Sequence, residues 1–118
     1  MLRTNLKSFA ILLATASGFG LQLSSAGPAP AAGPRPATHT VVIDSLRYDP
    51  QDLTVKAGDI VVWINRDPFP HTVTADGRQF DSHEIAAGRS WKHTMRTTGI
   101  FAYGCTLHPT MRATLHVD

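Results

Sequence analysis

The sequence contains a single cysteine among 118 residues. That scarcity excludes an internal disulfide, a CxxC redox pair and a cysteine-rich zinc site. No stretch carries apolar residues at helical spacing over ten or more positions, so no long amphipathic helix is expected. No run of like charges is present, which removes support for a phosphate-binding surface and for nucleic acid as a partner. The length leaves room for one domain and not for the second lobe of a larger enzyme. Hydrophobic residues at 42% argue against a disordered chain.

Acidic residues are absent from positions 1–26, where Arg3 and Lys7 precede an apolar run from Phe9 to Leu23 and the small residues Ser24-Ser25-Ala26. A charged region, an apolar region and a small-residue site in that order predict a signal peptide over 1–26, cleaved after Ala26. The apolar run of fifteen residues is short of the ~20 that cross a bilayer. No stable span is expected after processing, an uncleaved anchor being the alternative. Removing this segment takes away both excess positive charges of the +2 chain and leaves nine residues of each sign. Export predicts a periplasmic protein, and a lone cysteine in an oxidising compartment points to intermolecular pairing or to a thiol held by something else.

Residues 27–37, GPAPAAGPRPA, favour extended polyproline II and read as a linker. The domain is therefore expected over 38–118. Short segments rich in β-branched residues follow: Thr40–Ile43, Leu53–Lys56, Ile60–Asn65, His71–Ala75, Ser90–Met95, Ile100–Gly104 and Ala113–Val117. Turn signals separate them, and Ser82–Ala87 offers one turn of helix at most. This pattern predicts an all-β sandwich or barrel, with Trp63 and Trp91 as core anchors.

The chemistry concentrates in Cys105-Thr106-Leu107-His108-Pro109-Thr110-Met111, where thiol, imidazole and thioether recur every three residues. A second histidine, His71, lies upstream after Pro68-Phe69-Pro70. Taken singly, each has an ordinary reading: a buried small thiol, a core methionine, surface histidines. Together, two imidazoles and a thiolate with a weak axial thioether describe a type 1 copper site. Such a set suits Cu(II) and Cu(I) about equally, so little moves when one electron arrives. His39, His83, His93 and His116 fall outside the pattern and read as surface or strand positions.

The segments Ala57–Arg66, Pro70-His71, Tyr103–Thr106, His108-Pro109 and Met111-Arg112 resemble a cupredoxin, of the amicyanin or plastocyanin kind, over about residues 39–118. The resemblance implies a Greek-key β-sandwich with one copper ion at one end, His71, Cys105 and His108 as strong ligands and Met111 as the long axial one. It also implies an apolar collar around the exposed ligand histidine, here Phe69, Pro70, Leu107 and Pro109, where redox partners dock. Three positions depart from the family. Thr72 stands where an asparagine commonly ties two loops, and Thr110 where a phenylalanine is common. Leu107 replaces a proline and so leaves a backbone N–H that is able to bond toward the cysteine sulfur.

These readings predict a monomeric electron-transfer protein, not an enzyme, with copper binding or delivery as the alternative function. A nucleophilic Cys105 lacks an oxyanion loop and a third orienting group.

Overall fold

The computed structural model describes Thr15, residues 17–25, Gly27 and residues 35–118. Arg3, Lys7, much of the apolar run of the expected signal peptide, Ala26 and positions 28–34 of the expected linker lie outside the described residues. Among the described residues no helix is long and apolar enough to cross a membrane.

Alternating side chains build the domain. In β4 (Ile60–Asn65), Val61, Trp63 and Asn65 are buried while Ile60, Val62 and Ile64 are half-buried on the other face. In β8 (Arg112–Val117), Ala113, Leu115 and Val117 point inward. That period of two is what a sheet with one face on a core requires. β4 pairs in parallel with β1 (Thr38–Asp44) and antiparallel with β6 (Ser90–Thr94), and β2 (Arg47–Asp49) pairs with β1, giving the order β2-β1-β4-β6. The second sheet has the order β3-β8-β7-β5, with β3 (Asp52–Val55), β5 (Thr74–Ala75) and β7 (Gly99–Gly104). The all-β sandwich expected from the sequence is thus present.

Between the sheets lies an aromatic core. The fully buried Trp63 meets Tyr103 edge-on at 5.8 Å and lies 5.4 Å from the half-buried Trp91. Its indole N–H donates to the Tyr103 hydroxyl at 3.2 Å, so neither polar tip is stranded. Burial pushes the Tyr103 pKa up to about 12.

Three local readings change. β2 was not anticipated, because only Tyr48 of its three residues turns inward and the flanking Arg47 and Asp49 are exposed. The segment expected as strand from His71 is regular only at Thr74–Ala75, and His71 makes a single isolated bridge, to Ile85. Residues 82–87 are not a helical turn. With Asp81 they form an irregular strap, residues 81–87, bridged to the β5 segment at Thr74–Asp81 and His71–Ile85, and His83 adopts a φ of 54°.

The strands' directions define two poles. β4 ends and β8 begins at one of them, where residues 45–46, 66–73 and 105–111 gather. At the other, Asp59 accepts the N–H of Ala37 at 2.9 Å and of Lys56 at 3.0 Å, and contacts His39 Nε2 at 2.9 Å.

Candidate metal centre

The 105–111 loop folds back on itself because Gly104 permits it. A Cβ at Gly104 would stand 2.7 Å from the Met111 carbonyl oxygen, closer than any side chain tolerates. The Cys105 N–H then donates to that carbonyl at 3.2 Å, and the Met111 N–H donates to His108 O at 2.9 Å. Cys105 and Met111 are buried, at 4% and 2% exposure, while His108 is half-buried.

His71 is fully buried, and its placement comes from Asp67. The Asp67 carboxylate receives the N–H of Ser45 at 2.7 Å and of Leu46 at 3.0 Å, and contacts His71 Nε2 at 2.8 Å. Burial works to raise the Asp67 pKa, but the Leu46 N–H, the His71 ring and the Ser45 N–H outweigh it and hold the group below the usual carboxylate range. An ionised carboxylate only accepts, so Nε2 carries the proton and the lone pair of His71 sits on Nδ1. Asn65 completes the brace: its amide donates to the carbonyls of Phe69 at 2.7 Å and Ile85 at 2.9 Å, and its oxygen accepts the Asp67 N–H at 3.0 Å.

That Nδ1 lies 3.7 Å from Cys105 Sγ, and Nδ1 of His108 also lies 3.7 Å from it. One donor atom from each of the three residues falls within 4.8 Å of the others. The separation is long for a thiol hydrogen bond. It is what an N and an S share on one first-row ion, since bonds of about 2.0 and 2.3 Å opened at a trigonal angle leave about 3.7 Å between the ends. One cysteine sulfur and two imidazoles, with the buried Met111 on the same loop, make a donor set that fits copper.

Thr72 takes up the tie expected of an asparagine. Its Oγ1 accepts the Thr106 N–H at 2.9 Å, joining the His71 segment to the cysteine loop. Its own N–H donates to Cys105 Sγ at 3.3 Å. The hydrogen bond to sulfur therefore comes from Thr72, not from Leu107 as the sequence suggested. Below, the Tyr48 hydroxyl donates to Thr72 O at 2.5 Å, and burial raises its pKa beyond the ordinary phenol range.

The four collar residues Phe69, Pro70, Leu107 and Pro109 are all exposed, Phe69 at 53% and Leu107 at 44%. Two residues were missed in the sequence. Asp67 stands four before His71, a spacing that signals a pair only on a helix. Leu46, 46% exposed, shares a groove with Thr110 and Met111, and no motif marks it. Of the other histidines, His39 bonds to Asp59, His83 is exposed, and His93 stacks on Trp91 at 5.2 Å. None joins the cluster of donors.

Residues 37–118 match the family model of copper binding proteins of the plastocyanin/azurin family. The chain is 30% identical over 96 residues to amicyanin from Paracoccus denitrificans, covering 75% of this chain and 73% of that one. It is 29% identical over 117 residues to a chloroplastic plastocyanin from Tetradesmus obliquus, covering 90% and 81%. A solved amicyanin mutant in the oxidised state superposes with a TM-score of 0.65 at 31% identity, covering 70% of this chain and 83% of that one. With the fold, the donor set and the match over the whole domain in agreement, the chain belongs to the plastocyanin/azurin family of copper-binding proteins and is an amicyanin- and plastocyanin-like cupredoxin.

Proposed function

We propose that this protein is an exported, monomeric one-electron carrier, holding one copper ion on His71, Cys105 and His108 with Met111 as the weak axial ligand. The observation that carries the reading is the pair of imidazole Nδ1 atoms, each 3.7 Å from one buried sulfur. A bound copper ion supplies the Cu(I)/Cu(II) couple, and the chain's own groups keep its surroundings fixed while the charge changes. Asp67 holds the His71 ring in one tautomer, and the Thr72 N–H tempers the charge on sulfur. His108, half-buried among exposed apolar residues, offers the short way to a partner.

The reading is of a carrier and not an enzyme, acting in the periplasm. A signal peptide over 1–26 and a linker over 27–37 precede the domain at 38–118. Partners dock through the collar of Phe69, Pro70, Leu107 and Pro109, a small contact of the kind that brief redox encounters use.

Titration of the purified protein with Cu(II) tests this. The expected result is an intense blue thiolate-to-metal absorption that Cys105→Ser abolishes and that bleaches and returns through repeated reduction and oxidation with copper retained. Uptake of copper without that band overturns the reading, and release of copper on each reduction would favour delivery. For the collar, Leu107→Glu is expected to slow electron exchange with the native partner while leaving the band in place. An unchanged rate removes the collar from the proposal.

A further inference from the structure

A chain of hydroxyls runs from the cysteine loop to the outer face of the domain. Thr106 N–H donates to Thr72 Oγ1 at 2.9 Å, Thr72 Oγ1 lies 3.0 Å from Thr74 Oγ1, and Thr74 Oγ1 donates to Asp81 Oδ1 at 3.0 Å. Thr72 and Thr74 are buried, at 4% and 6% exposure. The direction follows from counting protons. A carboxylate cannot donate, so the single hydroxyl proton of Thr74 goes to Asp81. Thr74 then accepts the single proton of Thr72 at the shorter of that hydroxyl's two hydroxyl contacts, 3.0 Å against 3.3 Å to Thr106 Oγ1, and Thr72 accepts from the Thr106 amide and from the Thr106 hydroxyl. Every donor in the chain points toward the charge.

Asp81 is held for this role by the strap it belongs to. Ser82 N–H donates to Val73 O at 2.9 Å, and Val73 N–H donates to Ser82 Oγ at 2.7 Å. Asp81 Oδ1 also takes the His83 N–H at 2.9 Å. That bond, opposed by burial and helped by Thr74, holds the carboxyl below its usual range. Arg78 Nη1 and His83 Nδ1 lie at 3.8 Å on side chains 75% and 88% exposed, too far and too wet to neutralise it.

The geometry points to Asp81 as a positioning residue for the metal loop, acting through Thr74 and Thr72 to draw the Thr106 N–H away from the adjacent Cys105 sulfur. Charge at one end of such a relay strengthens each bond along it. Its effect on the metal's potential rests on the ligand reading above; the relay itself does not.

The test has two readouts. In the copper-free protein, exchange of the Thr106 amide, measured against that of Leu115 in the core, is expected to quicken about two- to tenfold in Thr74→Val. Asp81→Asn should fall at the lower end of that range, since its amide oxygen still accepts, and Thr74→Ser should match the wild type. In the copper-loaded protein, Thr74→Val and Asp81→Asn should both raise the reduction potential. The first frees an N–H toward sulfur, and the second also removes a negative charge. Unchanged Thr106 exchange in both variants overturns the proposal, as does quickening that Leu115 shares equally. Should Thr74→Val not fold, Asp81→Asn decides, because it keeps its shape at the partly exposed end. A wild-type protein without the blue band sinks the ligand reading and leaves the exchange test standing.

Discussion

The two poles of the sandwich carry the same device. Asp67 at one gathers the amides of Ser45 and Leu46 and a ring nitrogen of His71, and Asp59 at the other gathers those of Ala37 and Lys56 and a ring nitrogen of His39. Each carboxylate closes a turn and orients an imidazole. The difference lies across the ring. His71 is fully buried and its second nitrogen meets Cys105 and, through it, His108, whereas the His39 side chain is 27% exposed and joins no donor cluster. A histidine on a carboxylate is therefore a structural clasp by default. It becomes a ligand where the other nitrogen converges with further donors in a dry site.

Breaking the clasp at the metal pole should have the larger effect. Asp67→Ala leaves two amides of a tight turn, at Ser45 and Leu46, without an acceptor and frees the His71 ring. A loss of about 2–4 kcal/mol is expected in denaturant unfolding, with the visible band weakened or shifted in the copper-loaded protein. A band unaltered in position and intensity would show that His71 is held without Asp67.

At the opposite pole the consequence is a pH dependence with no spectral signature. The Lys56 amide, the His39 ring and the Ala37 amide hold the Asp59 pKa down to about 2, from 3.8. A depressed carboxyl stabilises the fold above its unfolded pKa and ceases to do so as the pH falls through its folded one. The gap in stability between the wild type and Asp59→Asn should thus be full above about pH 4 and close toward pH 2. His39→Gln should give a still smaller change, and neither variant should alter the visible band. Acid unfolding curves of the three proteins, compared as midpoints, check this. A gap that stays constant through that window would place the stabilisation elsewhere.

What the sequence made legible was what recurs locally. Short runs rich in β-branched residues between turn signals marked β4 and β8, and the regular intervals of Cys105, His108 and Met111 marked the metal loop. The departure at Thr72 was visible too, though not that one hydroxyl would accept from Thr106 and also face Thr74. The bracing was hidden because it joins side chains to distant backbone. Asp67 meets amides 21 and 22 positions away, and Asp81 reaches the cysteine loop only through two threonines. β2 was hidden for another reason: three residues with one inward side chain give no period to read.

The clasp on Ala37 has a mechanical consequence. Ala37 enters the domain at the pole away from His108, because Asp59 takes its N–H there. Pull on the chain at Ala37 is borne by Asp59 and the start of β1, with the sheets between it and the metal loops. The pole that anchors the start of β1 is thus not the pole that gathers His71, Cys105 and His108, and strain at the one is not passed directly to the other.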